Sequence, residues 1–348
     1  MNSIESKVKR HLNTLFVTTD GSFLSKEGQT IVVRREGKKV LQVPILTLQG
    51  IVCLGTAAIS TALMGMCAEK GVSLSFLSPH GRFLARVEGP VSGNVLLRRD
   101  QFRTAYDQVR SLDLARAFVL GKILNARSVI LRGIRDHGDP HGALGEAVST
   151  LGRCSRAAGL AEGPDQLRGV EGEAGRSYFG AFGGLISRDD GEFSFSGRTR
   201  RPPADPVDAM LSFLYAVLAH DVRSACESVG LDPQVGFLHR ERPGRAGLAL
   251  DLMEELRAPI ADRTVLTMIN RRQVARNDFE VFPGGAVRMN AALRKAIIVA
   301  YQKRKQEAVL HPFLGERTTL GLIPHIQARL LARHLRGDLD GYPPYLVK

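Results

Sequence analysis

The chain has 348 residues and is 44% hydrophobic, which makes it too long for one small domain and too apolar to be disordered. A formal net charge of +13 and a pI near 10 point to a polyanionic partner, because lysine and arginine replace the counterions around phosphates. There is no apolar run of about 18 residues and no secretory core in MNSIESKVKRHLN, so the expectation is a chain with no membrane span, located in the cytoplasm.

Asn13 to Thr19 is an apolar, β-branched run ended by the turn pair Asp20-Gly21. Thr30 to Arg35 and Lys39 to Ile45 read as strands around Glu36-Gly37, and Gly50 to Leu54 as a short apolar strand. Thr61 to Lys70 reads as one helix, with Thr61 as its cap and Gly71 past its end. Val72 to Leu77 and Phe83 to Val87 follow, joined by a turn in which His80 reads as solvated. Residues 1–90 therefore form a small, mainly β domain.

Gly89 to Gly93 reads as a hinge. Beyond it the periodicity turns helical: Val95 to Val109, Leu112 to Asn125, 142–160, 166–180, Val207 to Val229, Arg263 to Val274 and Met289 to Leu310. Ser187 to Pro206 is a long polar loop. The expected fold class is α+β, with the β-rich domain joined by the hinge to a larger all-α domain over residues 91–348. Cys53, Cys67, Cys154 and Cys226 are far apart and form no CxxC pair, so they read as small buried hydrophobes in a reducing compartment.

The stretch Gly230 to Arg257, GLDPQVGFLHRERPGRAGLALDLMEELR, carries the chemistry. It runs through a turn to His239, then a loop rich in Arg, Pro and Gly, then a helix. On that helix Asp251, Glu254 and Glu255 are spaced i, i+3 and i+4 and share a face, with Leu248, Leu252 and Leu256 lining the other side. Glu171 in LRGVEGEAGRSYF stands among small residues (Gly169, Gly172, Ala174, Gly175) that would admit a neighbouring backbone, while Glu173 lies about 200° around the helix. Two carboxylates and one imidazole suit Mg²⁺ or Mn²⁺. The ordinary alternative is that these acids are solvated and the histidine is a loop residue.

Arg198, Arg200 and Arg201 in SGRTRRPPADP are forked donors suited to phosphate oxygens, on a loop stiffened by Pro202 and Pro203. Arg242 and Arg245 lie between His239 and the acidic helix, where they could hold a backbone phosphate. Arg98-Arg99, Arg271-Arg272 and Lys303-Arg304-Lys305 are further basic groups. No GxxxxGK[ST] loop, no GxGxxG after a strand, no HExxH helix and no nucleophile elbow is present, so nothing calls for a nucleotide cofactor.

GLDPQVGFLH…LALDLMEELR, GVEGEAGRSYF and RTRRPPADPVDAMLSFLYAVL resemble the CRISPR-associated integrase of the adaptation module, the "Cas-one" family, over nearly the whole chain. NTLFVTTDGSFL and the closing GYPPYLVK look most like its type I-C branch. The resemblance implies that Glu171, His239 and Glu254 ligate the metal, with Asp251 as a supporting acid of the catalytic set. It also implies a homodimer joined through the β domains, and a complex with a small partner, "Cas-two". Such a complex holds double-stranded and branched DNA and joins DNA 3′-hydroxyls to the CRISPR repeat by metal-assisted transesterification. Asp208, where the family often has Asn, and Leu256-Arg257-Ala258-Pro259, where it often reads FRP, are departures that touch none of the three ligands. Two other readings use the same residues: a non-catalytic basic DNA-binding scaffold, and a structure-specific repair nuclease.

Overall fold

The computed structural model describes residues 13–78, 83–87, 89, 95–188, 191–195, 197–199 and 202–347. Contacts divide the chain into two compact units, Met1–Gly93 and Asn94–Lys348. Most of the hinge read at 89–93 lies outside the described residues, as does His80.

The first unit has eight strands and one helix among its described residues: β1 (Asn13–Val17), β2 (Ser22–Glu27), β3 (Thr30–Arg35), β4 (Lys38–Pro44), β5 (Leu48–Leu54), β6 (Ala57–Ile59), α1 (Thr61–Lys70), β7 (Ser73–Leu77) and β8 (Phe83–Val87). One sheet has the order β1-β5-β7-β8 and the other β4-β3-β2-β6. Leu24, Ile31, Ile45, Ile51, Leu63 and Leu74 meet in their common core. Strands β2 and β6 had no reading in the sequence. In β2, SFLSKE, Leu24 is fully buried and polar residues fill most other positions, while β6 is only Ala-Ala-Ile. The cap of α1 is Ser60, not Thr61: Ser60 is extended and its hydroxyl accepts from the Leu63 N–H at 3.3 Å. Gly71 closes the helix at φ 66°.

The second unit is mostly helical: α2 (Val95–Tyr106), α3 (Gln108–His137), α4 (Ala143–Leu160), α5 (Pro164–Ala181), α6 (Pro206–Ser228), α7 (Gly247–Leu256), α8 (Arg263–Asn270), α9 (Ala291–Lys305) and α10 (Ile323–Leu335). The all-α expectation needs correction, because two antiparallel hairpins pair β9 (Phe279–Val281) with β10 (Val287–Met289) and β11 (Ala308–Leu310) with β12 (Arg317–Thr319). Gly284 and Gly285, at φ 98° and 82°, make the first turn. The helix expected over 289–310 is thus only α9, capped by Asn290, whose side chain accepts from Leu293 N–H at 2.8 Å.

The break expected between Val109 and Leu112 falls instead at Asp107, and α3 then runs 30 residues, past the expected end at Asn125; Asp107 caps it, accepting from the N–H groups of Val109 and Arg110 at 3.0 and 3.1 Å. Helix α7 packs against both α3 and α6. Nine of its ten residues are buried, including Asp251, Glu254 and Glu255, so it has no solvent face on which acids could simply be hydrated. A π-helical turn at Arg257–Asp262 carries it into α8. Pro259 lies within that turn, where a missing N–H is accommodated by the altered ladder.

Candidate metal centre

The centre begins where two glycines touch. A Cβ on Gly236 would stand 2.6 Å from the Gly247 carbonyl carbon, and a Cβ on Gly247 would stand 2.8 Å from the Gln234 carbonyl oxygen. Only glycine at both positions lets loop 233–239 lie on the first turn of α7. Buried Gln101 of α2 ties the same loop, donating to the carbonyls of Asp232 and Val235 at 2.8 and 2.9 Å.

Asp251, fully buried on α7, gathers the end of that loop. Its Oδ2 accepts from the N–H groups of Phe237 (2.6 Å) and Leu238 (3.0 Å), and its Oδ1 from the His239 N–H at 3.0 Å. Oδ1 also lies 2.6 Å from His239 Nδ1. A carboxylate only accepts, so Nδ1 carries a proton, and a ring with one proton keeps its lone pair on Nε2. Nε2 lies 3.8 Å from Glu254 Oε1. This is the arrangement in which a second carboxylate fixes the tautomer of a ligating histidine.

Glu254, one turn beyond Asp251, is 2% exposed. Burial pushes its carboxyl up, but Arg257, Lys122 and His239 outweigh burial and hold it at about 2. Arg257 Nη1 is 3.2 Å from Oε1, and Lys122 Nζ is 3.0 Å from Oε2. Lys122, in the middle of α3, also donates to Glu171 Oε1 on α5. Carboxylates from two helices therefore converge on one ammonium, with the His239 ring beside them.

Glu173 is exposed, as its angular position requires. The glycines around Glu171 do not play the role expected of them: Gly169 and Gly175 face open space and a Cβ on Gly172 would meet only the Arg176 side chain. Close approach occurs instead at Gly121, where a Cβ would stand 2.9 Å from Glu255 Cβ and 3.1 Å from Pro344 Cβ. Glu255 does not join Asp251 and Glu254 at the centre. It is rotated by about 100° from Glu254 and accepts from Tyr342 Oη at 2.5 Å and from the Tyr345 N–H at 2.6 Å. Burial pushes its carboxyl up to about 7 against these donors.

The donor set fits a divalent cation: two carboxylates, an imidazole lone pair, and a cation already standing between the carboxylates. Among the described residues no three His, Cys, Asp or Glu side chains form a ready ligand cluster, and Lys122 Nζ lies between Glu171 and Glu254.

The proposed phosphate-binding arginines are placed differently from one another. Arg198 is ion-paired with buried Asp208, reaches Ser212 Oγ at 3.2 Å and lies over the rings of Tyr215 (4.9 Å) and Phe179 (5.9 Å). It docks the polar loop on α6. Arg200 and Arg201 lie outside the described residues. Arg242 is exposed and Arg245 half-buried. Arg271 and Arg272 are exposed, but the run Lys303-Arg304-Lys305 is not a free basic face: Lys305 pairs with Asp221 at 2.6 Å inside the unit, and Arg304 donates to the Pro259 carbonyl.

The sequence reading left out Lys122 and the buried trio Tyr178, Tyr215 and Asp262, and it set the departure at Leu256-Arg257-Ala258-Pro259 apart from the three ligands, whereas Arg257 Nη1 lies 3.2 Å from Glu254 Oε1. Asp262 accepts from Tyr215 Oη at 2.6 Å and Tyr178 Oη at 2.9 Å, and burial pushes its carboxyl up to about 6. Arg257 lies over the same Tyr215 ring at 5.2 Å. A lone lysine in VLGKILN and an arginine three residues after Glu254 were the available signals.

A family model described as CRISPR associated protein Cas1 matches residues 15–303. A CRISPR-associated endonuclease Cas1 of Chlorobaculum tepidum is 50% identical over 343 residues, covering 97% of this chain and 99% of that protein. Another, from Rhodospirillum rubrum, is 50% identical over 347 residues, covering 98% and 100%. In fold, the chain is similar to a CAS1 protein from Thermotoga maritima, with a TM-score of 0.80 at 21% identity, covering 93% of this chain and 97% of that one. It is also similar to a casposase bound to integration product, with a TM-score of 0.82 at 20% identity, covering 97% and 94%. With the Cas1 model spanning most of its length and relatives matching it end to end at half identity, the chain belongs to the Cas1 family of CRISPR-associated endonucleases.

Proposed function

We propose that this protein is a divalent-metal-dependent DNA endonuclease and integrase that inserts short foreign DNA into a CRISPR array, with Glu171, His239 and Glu254 holding Mg²⁺ or Mn²⁺. The observation that carries the reading is the convergence of Glu171 and Glu254 on one cation beside a histidine whose Nε2 is left free by Asp251. When bound, the ion supplies Lewis acidity, activating a DNA 3′-hydroxyl or water and stabilising charge on the phosphate. His239 presents its lone pair, and Asp251 holds the Nδ1 proton and the loop in place. Arg257, 3.2 Å from Glu254, is a fixed positive charge where a phosphate would arrive. Exposed Arg242 and half-buried Arg245 are suited to neutralise neighbouring phosphates.

The net charge of +13 supports double-stranded and branched DNA as the substrate. A homodimer through the first unit is supported by edge strand β4, whose Val40 and Leu41 are exposed. A partnership with Cas2 is supported by the similar fold of the chain in a Cas6-RT-Cas1–Cas2 complex, with a TM-score of 0.78 at 24% identity, covering 97% of this chain and 36% of that one. NTLFVTTDGSFL and GYPPYLVK support the type I-C branch. The absence, among the described residues, of a helix long and apolar enough to cross a membrane agrees with work in the cytoplasm.

The test is strand transfer: the protein, its Cas2 partner, a short duplex with 3′-hydroxyl ends and a plasmid bearing the repeat, with and without Mn²⁺. Joined product that requires metal and disappears in Glu171→Ala, His239→Ala and Glu254→Ala is the expected result. Equal DNA binding by all four proteins with no joining or cutting in any would instead establish a scaffold, and metal-dependent cutting without joining a repair nuclease.

A further inference from the structure

Lys122 stands in an otherwise apolar stretch of α3, with a side chain only 16% exposed. Its ammonium donates to Glu171 and lies 3.0 Å from Glu254 Oε2. Carboxylates brought together from two helices repel each other, and a cation between them relieves that repulsion. A divalent ion ligated by the same two groups needs the same point in space. Two cations cannot share it.

We propose that Lys122 is the resident counter-cation of Glu171 and Glu254, and that a divalent ion must displace its ammonium in order to bind. This rests on the metal reading given above. Three features favour displacement over coexistence. The lysine head is a compact charge on a flexible stem, able to swing away where a forked guanidinium would hold two oxygens at once. Arg257 pairs with the other oxygen of Glu254, so that carboxylate keeps a cation while Lys122 leaves. The opposite side of the centre is fixed independently, because His239 is held by Asp251 and not by Lys122. Lys122 therefore sets metal affinity below what the bare ligands would give, and holds the two carboxylates in register until the ion arrives.

Mn²⁺ binding, read from the electron paramagnetic resonance of the free ion, separates the possibilities in wild type, Lys122→Gln and Glu254→Gln. Lys122→Gln is expected to bind Mn²⁺ at least about tenfold more tightly than wild type, and Glu254→Gln to lose binding. Affinity in Lys122→Gln that is unchanged or weaker, with binding still abolished in Glu254→Gln, overturns the counter-cation role and leaves the metal site standing. Binding that survives in Glu254→Gln overturns the metal reading and this proposal with it. If wild type binds no Mn²⁺, binding gained by Lys122→Gln supports displacement, and none in either protein overturns both. A second measurement needs no variant to fold. Reductive methylation of wild-type lysines, mapped by peptide mass spectrometry, should label Lys122 more strongly when Mn²⁺ is added; unchanged labelling contradicts displacement.

Discussion

At His239 the proton sits on Nδ1 because the group facing it, Asp251 Oδ1 at 2.6 Å, can only accept. Asp251 also accepts three backbone N–H groups, so it orders the loop as well as the ring. Asp251→Asn keeps the shape but replaces two acceptor oxygens with one. Mn²⁺ affinity measured by calorimetry should fall by about 10- to 100-fold, with a lower melting temperature in metal-free buffer. Unchanged affinity would place His239 outside the ligand set. Asp262 gives a separate, pH-dependent expectation. Burial raises its folded value to about 6 from an ordinary 3.8, so the unfolded chain ionises first as pH rises. Its contribution to stability is therefore fully present below about pH 4, is lost between about pH 4 and 6, and stays lost above. Comparison of melting curves at pH 4 and pH 7 should show a smaller decline in Asp262→Asn than in wild type, by on the order of 1–3 kcal/mol; equal declines would mean that Asp262 is ionised throughout. The candidates Glu171, His239, Asp251 and Glu254, which the fold brings together, could be picked out in the sequence because each lies in a compact motif. Lys122 was not, since its role depends on two helices remote in sequence.

Helix α7 works because glycines let its neighbours close in. At Gly236 an added methyl would meet backbone, the Gly247 carbonyl carbon at 2.6 Å, and backbone cannot rotate out of the way as a side chain can. Gly236→Ala should therefore destabilise the protein by about 1–3 kcal/mol in urea denaturation, with strand transfer reduced as loop 233–239 lifts from Asp251. A stability equal to wild type would show that the loop has room. In the sequence, nothing singled out Gly236 or Gly247, whereas Gly169, Gly172 and Gly175 read as packing contacts; the close approaches fall at the first pair. Periodicity recovered most strands and helices but not β2 or β6, whose apolar positions are too few to mark a strand. It also placed the break before α3 at Arg110-Ser111, polar residues that lie inside the helix, and not at the capping Asp107. Burial of the acids on α7 was hidden too. A spacing of i, i+3, i+4 fixes which face residues share, not whether that face meets water, and Glu255 proved to serve the C-terminal residues Tyr342 and Tyr345.

Over the whole molecule, a net charge of +13 coexists with a centre built from carboxylates. In the function proposed for it, the positive charge would gather the nucleic acid and the acids would take the ion that acts on it. Not every basic residue serves DNA, since Arg198, Arg304 and Lys305 are committed to internal partners. Exposed Arg242 is a better candidate: Arg242→Ala should weaken duplex binding equally across sequences, and the slope of log affinity against log salt should flatten by about 1. An unchanged slope would remove Arg242 from the interface. The division into a β-rich and a mainly helical unit was readable from the switch in periodicity after residue 90, while the two short hairpins were not, each strand being only three residues long. The most direct measurement is anomalous scattering at the manganese edge from crystals grown with Mn²⁺. A single peak within bonding distance of Glu171, His239 Nε2 and Glu254, with the Lys122 ammonium moved aside, is the predicted result. A peak elsewhere, or Lys122 still lodged between the two carboxylates at saturating Mn²⁺, would contradict it.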